Sequence, residues 1–424
     1  MKKTVSLLLV LILAIGIFAT GCTSNGNDST GANSPAPNGG EQNTGNNGSE
    51  SKEPIVIGAL TSLSGALQDY GEQNQKGFML GLEYLTDGTM EVAGRPIKVI
   101  WEDTTNVPDV ARERAIKLLD VDKVDILVGA ASSSDAAAVL DIAEEFKTVY
   151  VIEPAAADFL TGESWNPYIF RTGRNSAQDA AAMADVIINS KPGAKVATLA
   201  PDSSFGTSMV QPIVNELIER GGELVHQEFP PTDTTDFSPY IMRIREAKPD
   251  YLYVIWAGAN NPWGQLMEYD LESYGINITT GAPEIAALKS MTPMIGMQGF
   301  CVYHHTLPQN NPMNEWLKEK HMEEYNEVPD LFTPGGMAAA SAIITALEKT
   351  DGSTDADTLI EAMEGMEYES PTGTRYFRTE DHQSIQPLYE VILMEVEGVD
   401  YPVPEFVREI PAEDIAPPIN APGR

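Results

Sequence analysis

From Pro54 onward the chain keeps one rhythm: short β-branched and aliphatic runs alternate with longer segments whose apolar side chains recur every three or four positions. The first kind reads as strand, the second as helix with one buried face. Ile55–Leu60, Ile97–Glu102, Asp125–Gly129 and Thr148–Ile152 are predicted strands. Tyr70–Leu85, with Phe78, Leu82 and Leu85 at helical spacing, Val110–Leu119 and Asp135–Phe146 are the helices between them. The rhythm pauses around Tyr168–Thr172 and then restarts. Strands are predicted at Lys195–Leu199, Leu224–Phe229, Tyr251–Trp256 and Ile278–Gly281, with helices at Ala177–Ile188, Ser208–Arg220, Phe237–Ala247 and Trp263–Tyr274. A strand at Phe300–His304, helices at Pro312–Tyr325, Gly336–Lys349 and Thr358–Met363, and a strand at Leu388–Glu395 follow. Such alternation implies parallel sheets covered by helices on both faces. The expected fold class is α/β, with two doubly wound domains; periodicity leaves open how the last third is shared between them. In open parallel sheets ligands sit beyond the carboxyl ends of the strands, so two such domains facing each other make one cleft that closes by a hinge.

The first residues break this pattern. Lys2 and Lys3 precede an uncharged apolar run from Val5 to Thr20. That is the layout of a secretory signal and is short for a spanning helix. Ala19-Thr20-Gly21-Cys22 resembles the lipobox of bacterial and archaeal lipoproteins, with Ala19 in place of the commoner leucine. The resemblance implies a signal peptide over 1–21 and lipidation at Cys22; an uncleaved membrane anchor is the alternative. Either way the body is expected outside the cell, tied to the cytoplasmic membrane. From Thr23 to Glu53 only Ala32 and Ala36 are aliphatic. A segment with nothing to bury does not fold, so 22–53 reads as a flexible tether reaching about 30 Å on average.

The remaining chain is long enough for two domains, and a hydrophobic content of 42% provides for their cores. The net charge of −35 argues against a nucleic-acid partner, since nothing basic is available to meet phosphates. With Cys22 taken by lipid, Cys301 stands alone and no intramolecular disulfide is expected.

Candidate chemistry sits where strands hand over to helices. Ser132, Ser133 and Ser134 follow the Asp125–Gly129 strand, where hydroxyls and free backbone N–H groups favour either an anion or simple helix capping. Glu284, in Ala282-Pro283-Glu284, follows the Ile278–Gly281 strand and reads as a partner for a cation or as a helix-capping acid. Tyr70, Phe205 and Trp256 occupy loop or strand-end positions. There is no G-x-S-x-G elbow and no Gly-rich phosphate loop. Cys301 and His305 face one side of a strand and His304 the other, which is no metal site. Asp381-His382 lacks an accompanying nucleophile. No enzyme activity, cofactor or metal is expected.

Ile57–Gly65 with Tyr70-Gly71, Val128-Gly129 and the serine run, Phe170-Arg171-Thr172, Phe205-Gly206, Asp236-Phe237-Ser238, Lys248-Pro249-Asp250 and Asp381-His382-Gln383 occur in this order over the whole body. Together they resemble the extracytoplasmic solute-binding proteins of ABC importers for branched-chain amino acids. The resemblance implies the type I periplasmic-binding-protein fold with three crossovers. Lobe 1 is then 54–171 and 303–379, lobe 2 is 172–302 and 380–410, and 411–424 is a C-terminal tail. It implies a ligand α-carboxylate at Ser133 beside Ser132, helped by backbone in Pro154-Ala155-Ala156-Ala157, and an α-ammonium at Glu284. Tyr70 and Phe205 become aromatic walls and Trp256 shapes the side-chain pocket. Ala157 stands where relatives carry a hydroxyl and Glu153 where they carry a small residue, so strict branched-chain specificity does not carry over. The implied protein is a monomeric receptor that captures an amino acid or related amide and delivers it to a membrane permease. The alternatives are an aromatic or other carboxylate solute, a ligand sensor of the same fold, and an extracytoplasmic hydrolase.

Overall fold

The computed structural model describes residues 52–258 and 260–423. The apolar N-terminal run, Cys22 and the expected tether up to Ser51 lie outside the described residues.

The first sheet is built from β1 (Ile55–Thr61), β2 (Glu91–Val92), β3 (Arg95–Asp103), β4 (Ile126–Gly129), β5 (Tyr150–Ile152) and β6 (Ile169–Arg171), in the order β2-β3-β1-β4-β5-β6. All its pairings are parallel except the β2–β3 hairpin. The sequence of β1 is almost wholly apolar because both faces are covered. Alternate side chains go to opposite cores: Ile55, Ile57 and Ala59 pack with Phe78 and Ile343, while Leu60 packs with Ala111 and Val139. The covering helices are α1 (Gln68–Leu85) and Thr333–Lys349 on one face, and α2 (Pro108–Ile116) and α3 (Ser133–Phe146) on the other. α1 and Thr333–Lys349 touch backbone to backbone. A Cβ on Gly77 would lie 1.8 Å from the Thr333 carbonyl oxygen, and one on Gly336 would lie 2.1 Å from that of Asn74.

The chain then crosses to a second sheet through α4 (Ser176–Ser190). This sheet is parallel throughout: β7 (Lys195–Leu199), β8 (Glu223–Glu228), β9 (Tyr251–Val254) and β10 (Asn277–Thr279), in the order β10-β9-β7-β8. α4 and the helix Val210–Glu219 cover one face, and the helices Ser238–Ala247 and Trp263–Glu268 the other. After β11 (Gln298–Cys301) the chain returns to the first lobe. There Ala338–Leu347 and Phe377 complete the core around Ile57. A small antiparallel sheet of β12 (Glu367–Tyr368), β13 (Arg375–Phe377) and β14 (Ser384–Ile385) leads to the third crossover. β15 (Leu388–Met394) then pairs antiparallel with β11 and with β16 (Val403–Ile410). This is the expected class: two doubly wound lobes joined by three crossovers.

The crossovers are pinned by buried polar contacts. Arg171 is fully buried and donates to Gln383 Oε1 (2.6 Å), to the Ala157 carbonyl (2.5 Å) and to Thr161 Oγ1. His382 stacks on Phe170 at 4.0 Å and donates from Nδ1 to the Ile169 carbonyl. Asp381 is held by Arg378. The Asp381-His382 pair is therefore a structural tie. Residues 411–423 touch both lobes: Ile415 sits inside the second core, and the Pro417 carbonyl accepts from Arg378, next to Phe377 of the first.

Several elements were not foreseen: β2, β6, β12–β14, β16 and the short helices Ser204–Ser208 and Ile285–Lys289. β16 carries Pro404, Glu405 and Glu409 on a sheet edge, where one side needs no ladder partner and apolar alternation is weak. The short helix Ile285–Lys289 is too brief for a periodic signal. The predicted helix Trp263–Tyr274 breaks because Asp270 takes a left-handed conformation at φ 42°.

Candidate ligand-binding site

The carboxyl ends of both sheets open onto one cavity of about 570 Å³. From the first lobe come the β1–α1 loop with Tyr70, the β4–α3 turn Ala131–Ser134, and Pro154 and Ala156 after β5. From the second come Pro201–Phe205 after β7, Tyr253–Gly258 at the end of β9, and Thr280–Glu284 after β10. Arg174 and Asp179, just past the first crossover, and Phe332 complete the wall.

The serine turn follows from local chemistry. Ser132 has extended backbone angles and caps α3, its Oγ accepting from the Asp135 N–H at 3.4 Å. Ser133 Oγ accepts from the Ala157 N–H at 3.1 Å. A hydroxyl used as an acceptor keeps its own hydrogen to donate, so Ser133 still has a donor for an anion in the cavity. Ser134 Oγ reaches across the cleft and donates to Ser204 Oγ (3.2 Å). Capping and anion-site geometry thus coexist in one turn.

Tyr70 is held in the first turn of α1, and its ring packs on Phe332 at 4.2 Å. Its hydroxyl crosses the cleft, donating to Glu284 Oε2 (3.1 Å) and accepting from the Gly258 N–H (3.2 Å). Glu284 occupies the capping position of Ile285–Lys289 but makes no capping bond with its side chain. The carboxyl turns into the cavity wall and is 5% exposed. Burial pushes its pKa up to about 7, the nearby Asp330 carboxylate adds to the rise, and the Tyr70 hydrogen bond opposes it. Asp330 is itself raised to about 6 by burial. It accepts from the Ile285 N–H (3.0 Å), another contact from lobe to lobe.

Of the residues expected at the site, Tyr70, Ser132, Ser133, Phe205, Trp256 and Glu284 line the cavity. Trp256 is fixed by a bond from Nε1 to the Asn260 carbonyl (2.6 Å) and by edge contact with Phe237. Ala155 and Ala157 do not line it. Their side chains pack into the core with Ile152 and Leu160, and the cavity receives Ala156 instead. Side chains alternate along extended backbone, so only the middle alanine can face the cleft. Glu153 lies beneath the crossovers, accepting from Thr172 Oγ1 (2.8 Å) in the field of Arg375. Cys301 is buried with Tyr389 and Val391, and burial raises its thiol to about 12.

The expectations omitted Arg174 and Asp179. They form an ion pair, Nε to Oδ1 at 3.3 Å, in the cavity wall. Asp179 interrupts the alanine-rich buried face of α4, Ala177–Ala184, and that intrusion was the available signal. Four carboxyl side chains (Asp179, Asp202, Asp233 and Glu284) line the cavity among the described residues, against one guanidinium, Arg174.

The periplasmic binding protein family model matches residues 54–397. The chain is 26% identical to the Leu/Ile/Val-binding protein homolog 6 of Brucella abortus (strain 2308) over 346 residues, covering 79% of this chain and 86% of the relative. An ABC-type branched-chain amino acid transporter protein from Rhodopseudomonas palustris CGA009 superposes with a TM-score of 0.77 and 41% identity, covering 87% of this chain and 99% of that one. A solute-binding protein from R. palustris BisB5, solved with 3,4-dihydroxybenzoic acid, gives 0.75 and 27%, covering 85% and 98%. Two lobes, three crossovers, an interlobe cavity and a match across nearly the whole body converge: the chain belongs to the periplasmic binding protein family, as a solute-binding receptor of ABC transporters.

Proposed function

We propose that this receptor takes an amino acid or a closely related amide. The observation that carries the reading is the charge of the cavity wall, where four carboxyls face one guanidinium. A wall of that sign favours a ligand with a cationic group and disfavours a simple anion. Glu284 is the carboxylate proposed for the ammonium, and Ser133, at the amino end of α3, the donor for the carboxylate. Tyr70, Phe205 and Trp256 are the proposed apolar walls. A zwitterion held at both ends favours the closed lobes, because only closure satisfies both.

Isothermal titration of an amino-acid panel tests this, with benzoate and 4-hydroxybenzoate as anionic controls. Removing the carboxylate leaves a buried ammonium without its partner, which costs about 3–5 kcal/mol. Glu284→Gln is therefore expected to weaken amino-acid binding by a hundredfold or more, estimated from about 1.4 kcal/mol per decade. Equal binding by wild type and variant, or a ligand without a cationic group, would remove the assignment. The second reading is an aromatic carboxylate. It is favoured by the relative solved with 3,4-dihydroxybenzoic acid and by the aromatic side chains that share the cavity wall with Arg174.

The lobe limits, 54–171 with 303–379 and 172–302 with 380–410, belong to the same proposal, supported by the composition of the cores. So does attachment to the membrane through lipid on Cys22, with a permease receiving the solute from a single copy of the receptor. The receptor is proposed to release that solute chemically unchanged.

A further inference from the structure

We infer that the Arg174–Asp179 pair is the side-chain subsite of this cavity, and that it selects a ligand whose side chain ends in a neutral planar group offering both a hydrogen-bond acceptor and a donor: a carboxamide or ureido group. The inference rests on the amino-acid reading above and extends it to the other end of the ligand.

Asp179 is 2% exposed and Arg174 is largely buried, yet the two charges meet poorly. Their closest approach is Nε–Oδ1 at 3.3 Å, and those two atoms are closed off from the cavity; Asp179 Oδ2 and the Arg174 Nη atoms, which make no protein hydrogen bond among the described residues, are the ones left open to it. Buried polar groups are almost always satisfied, so a charged pair that leaves Oδ2 and the Nη atoms open to a cavity marks a place where a ligand supplies the remaining bonds. A pair built only for stability would be aligned and closed off. Burial raises the Asp179 carboxyl while Arg174 opposes the rise, as expected of a charge incompletely compensated.

The pair also dictates what fits. A second carboxylate on the ligand would meet Asp179, and a second ammonium would meet Arg174. An aliphatic side chain would bury both groups without returning a hydrogen bond, and sites that demand such bonds reject ligands lacking them strongly. A carboxamide or ureido group places its oxygen on the guanidinium and its N–H on the carboxylate, completing both. A cavity of about 570 Å³ is within the range that encloses drug-sized ligands and leaves room for such an extension.

The test is isothermal titration of the wild-type receptor with glutamine, asparagine, citrulline, glutamate and norleucine. At least one of the amide or ureido ligands is expected to bind about a hundredfold or more tighter than norleucine. Asp179→Asn and Arg174→Met, checked for an unchanged melting profile, are expected to shrink that ratio below about tenfold. Glu284→Gln is expected to weaken all of the amino acids while leaving the ratio intact. Norleucine within tenfold of every amide in the wild type overturns the subsite while leaving the amino-acid reading standing. So does a ratio unmoved in folded Asp179→Asn and Arg174→Met. Binding of benzoate with no response to any amino acid overturns the amino-acid reading itself, and the subsite with it.

Discussion

A carboxyl enclosed beside another carboxyl releases its proton late, and Glu284 beside Asp330 is in that position. Its folded pKa of about 7 lies above the value of about 4.3 expected in the unfolded chain. A raised carboxyl pKa means that the neutral form is the one the fold prefers. Its contribution to stability is therefore complete below about pH 4.3 and is lost as pH rises through 7. An ammonium ligand has the opposite requirement, because it needs the carboxylate. Binding should then tighten about tenfold per pH unit up to about 7 and level off above it. Titrations between pH 5.5 and 8.5 check this. A flat wild-type profile would contradict it, and Glu284→Gln is expected to be flat. Tyr70, Asp330 and Asp69 are the neighbouring groups that set the midpoint. At this scale the sequence was readable where a residue follows a strand, as Ser133 and Glu284 do. It was misleading at Ala155 and Ala157, because the alternation that turns them inward depends on the backbone path after β5. Arg174 was hidden by its setting: a charged residue in a crossover looks like surface until the lobes are assembled around it.

Elements are placed by their closest approaches. α1 carries Tyr70, and its position depends on Gly77 and Gly336, where two helices meet without side chains between them. Adding a methyl group at Gly77 drives it into the Thr333 carbonyl, which cannot yield without moving a helix. Gly77→Ala is expected to cost about 3 kcal/mol, at the upper end for overpacking, and to weaken ligand binding through displacement of Tyr70. Gly264 has open space at its Cβ and an ordinary backbone, so Gly264→Ala is the matched control, with little change in melting temperature. Thermal unfolding of both variants measures the difference; equal melting temperatures would refute the helix contact as a determinant. Most helices and parallel strands were legible because each buries a continuous apolar face. β16 was not, because an edge strand with Pro404 and three charged residues needs no such face. Nor does periodicity reveal that His382 stacks on Phe170 to tie the crossovers, since that contact joins residues more than two hundred positions apart.

At the scale of the molecule, the fold class was legible because alternation repeats over hundreds of residues, and the resemblance supplied the proposed division of the last third. The proposed attachment belongs to this scale as well. Its motive is the charged start, the apolar run and the small residues before Cys22. Cys22→Ser is expected to shift the protein from the membrane fraction to the soluble fraction, or to leave an unprocessed precursor. A mature wild-type protein with an unmodified Cys22 by mass spectrometry would end that proposal.

The three crossovers also set an order of assembly. The core around Ile57 is unfinished without Ala338–Leu347 and Phe377, and the core around Val196 is unfinished without Leu388, Ile410 and Ile415. The core around Leu60 and Val139 closes within residues 60–169, but the opposite face of the same sheet stays bare until 338–377 arrive. A polypeptide emerging from the ribosome therefore completes neither lobe until most of its length is available, and its long-range contacts make folding slow even then. For a receptor of an extracytoplasmic family that delay is useful. A narrow translocation channel passes an extended strand and not a folded lobe, and interleaving the two halves keeps the chain threadable until it has reached the far side.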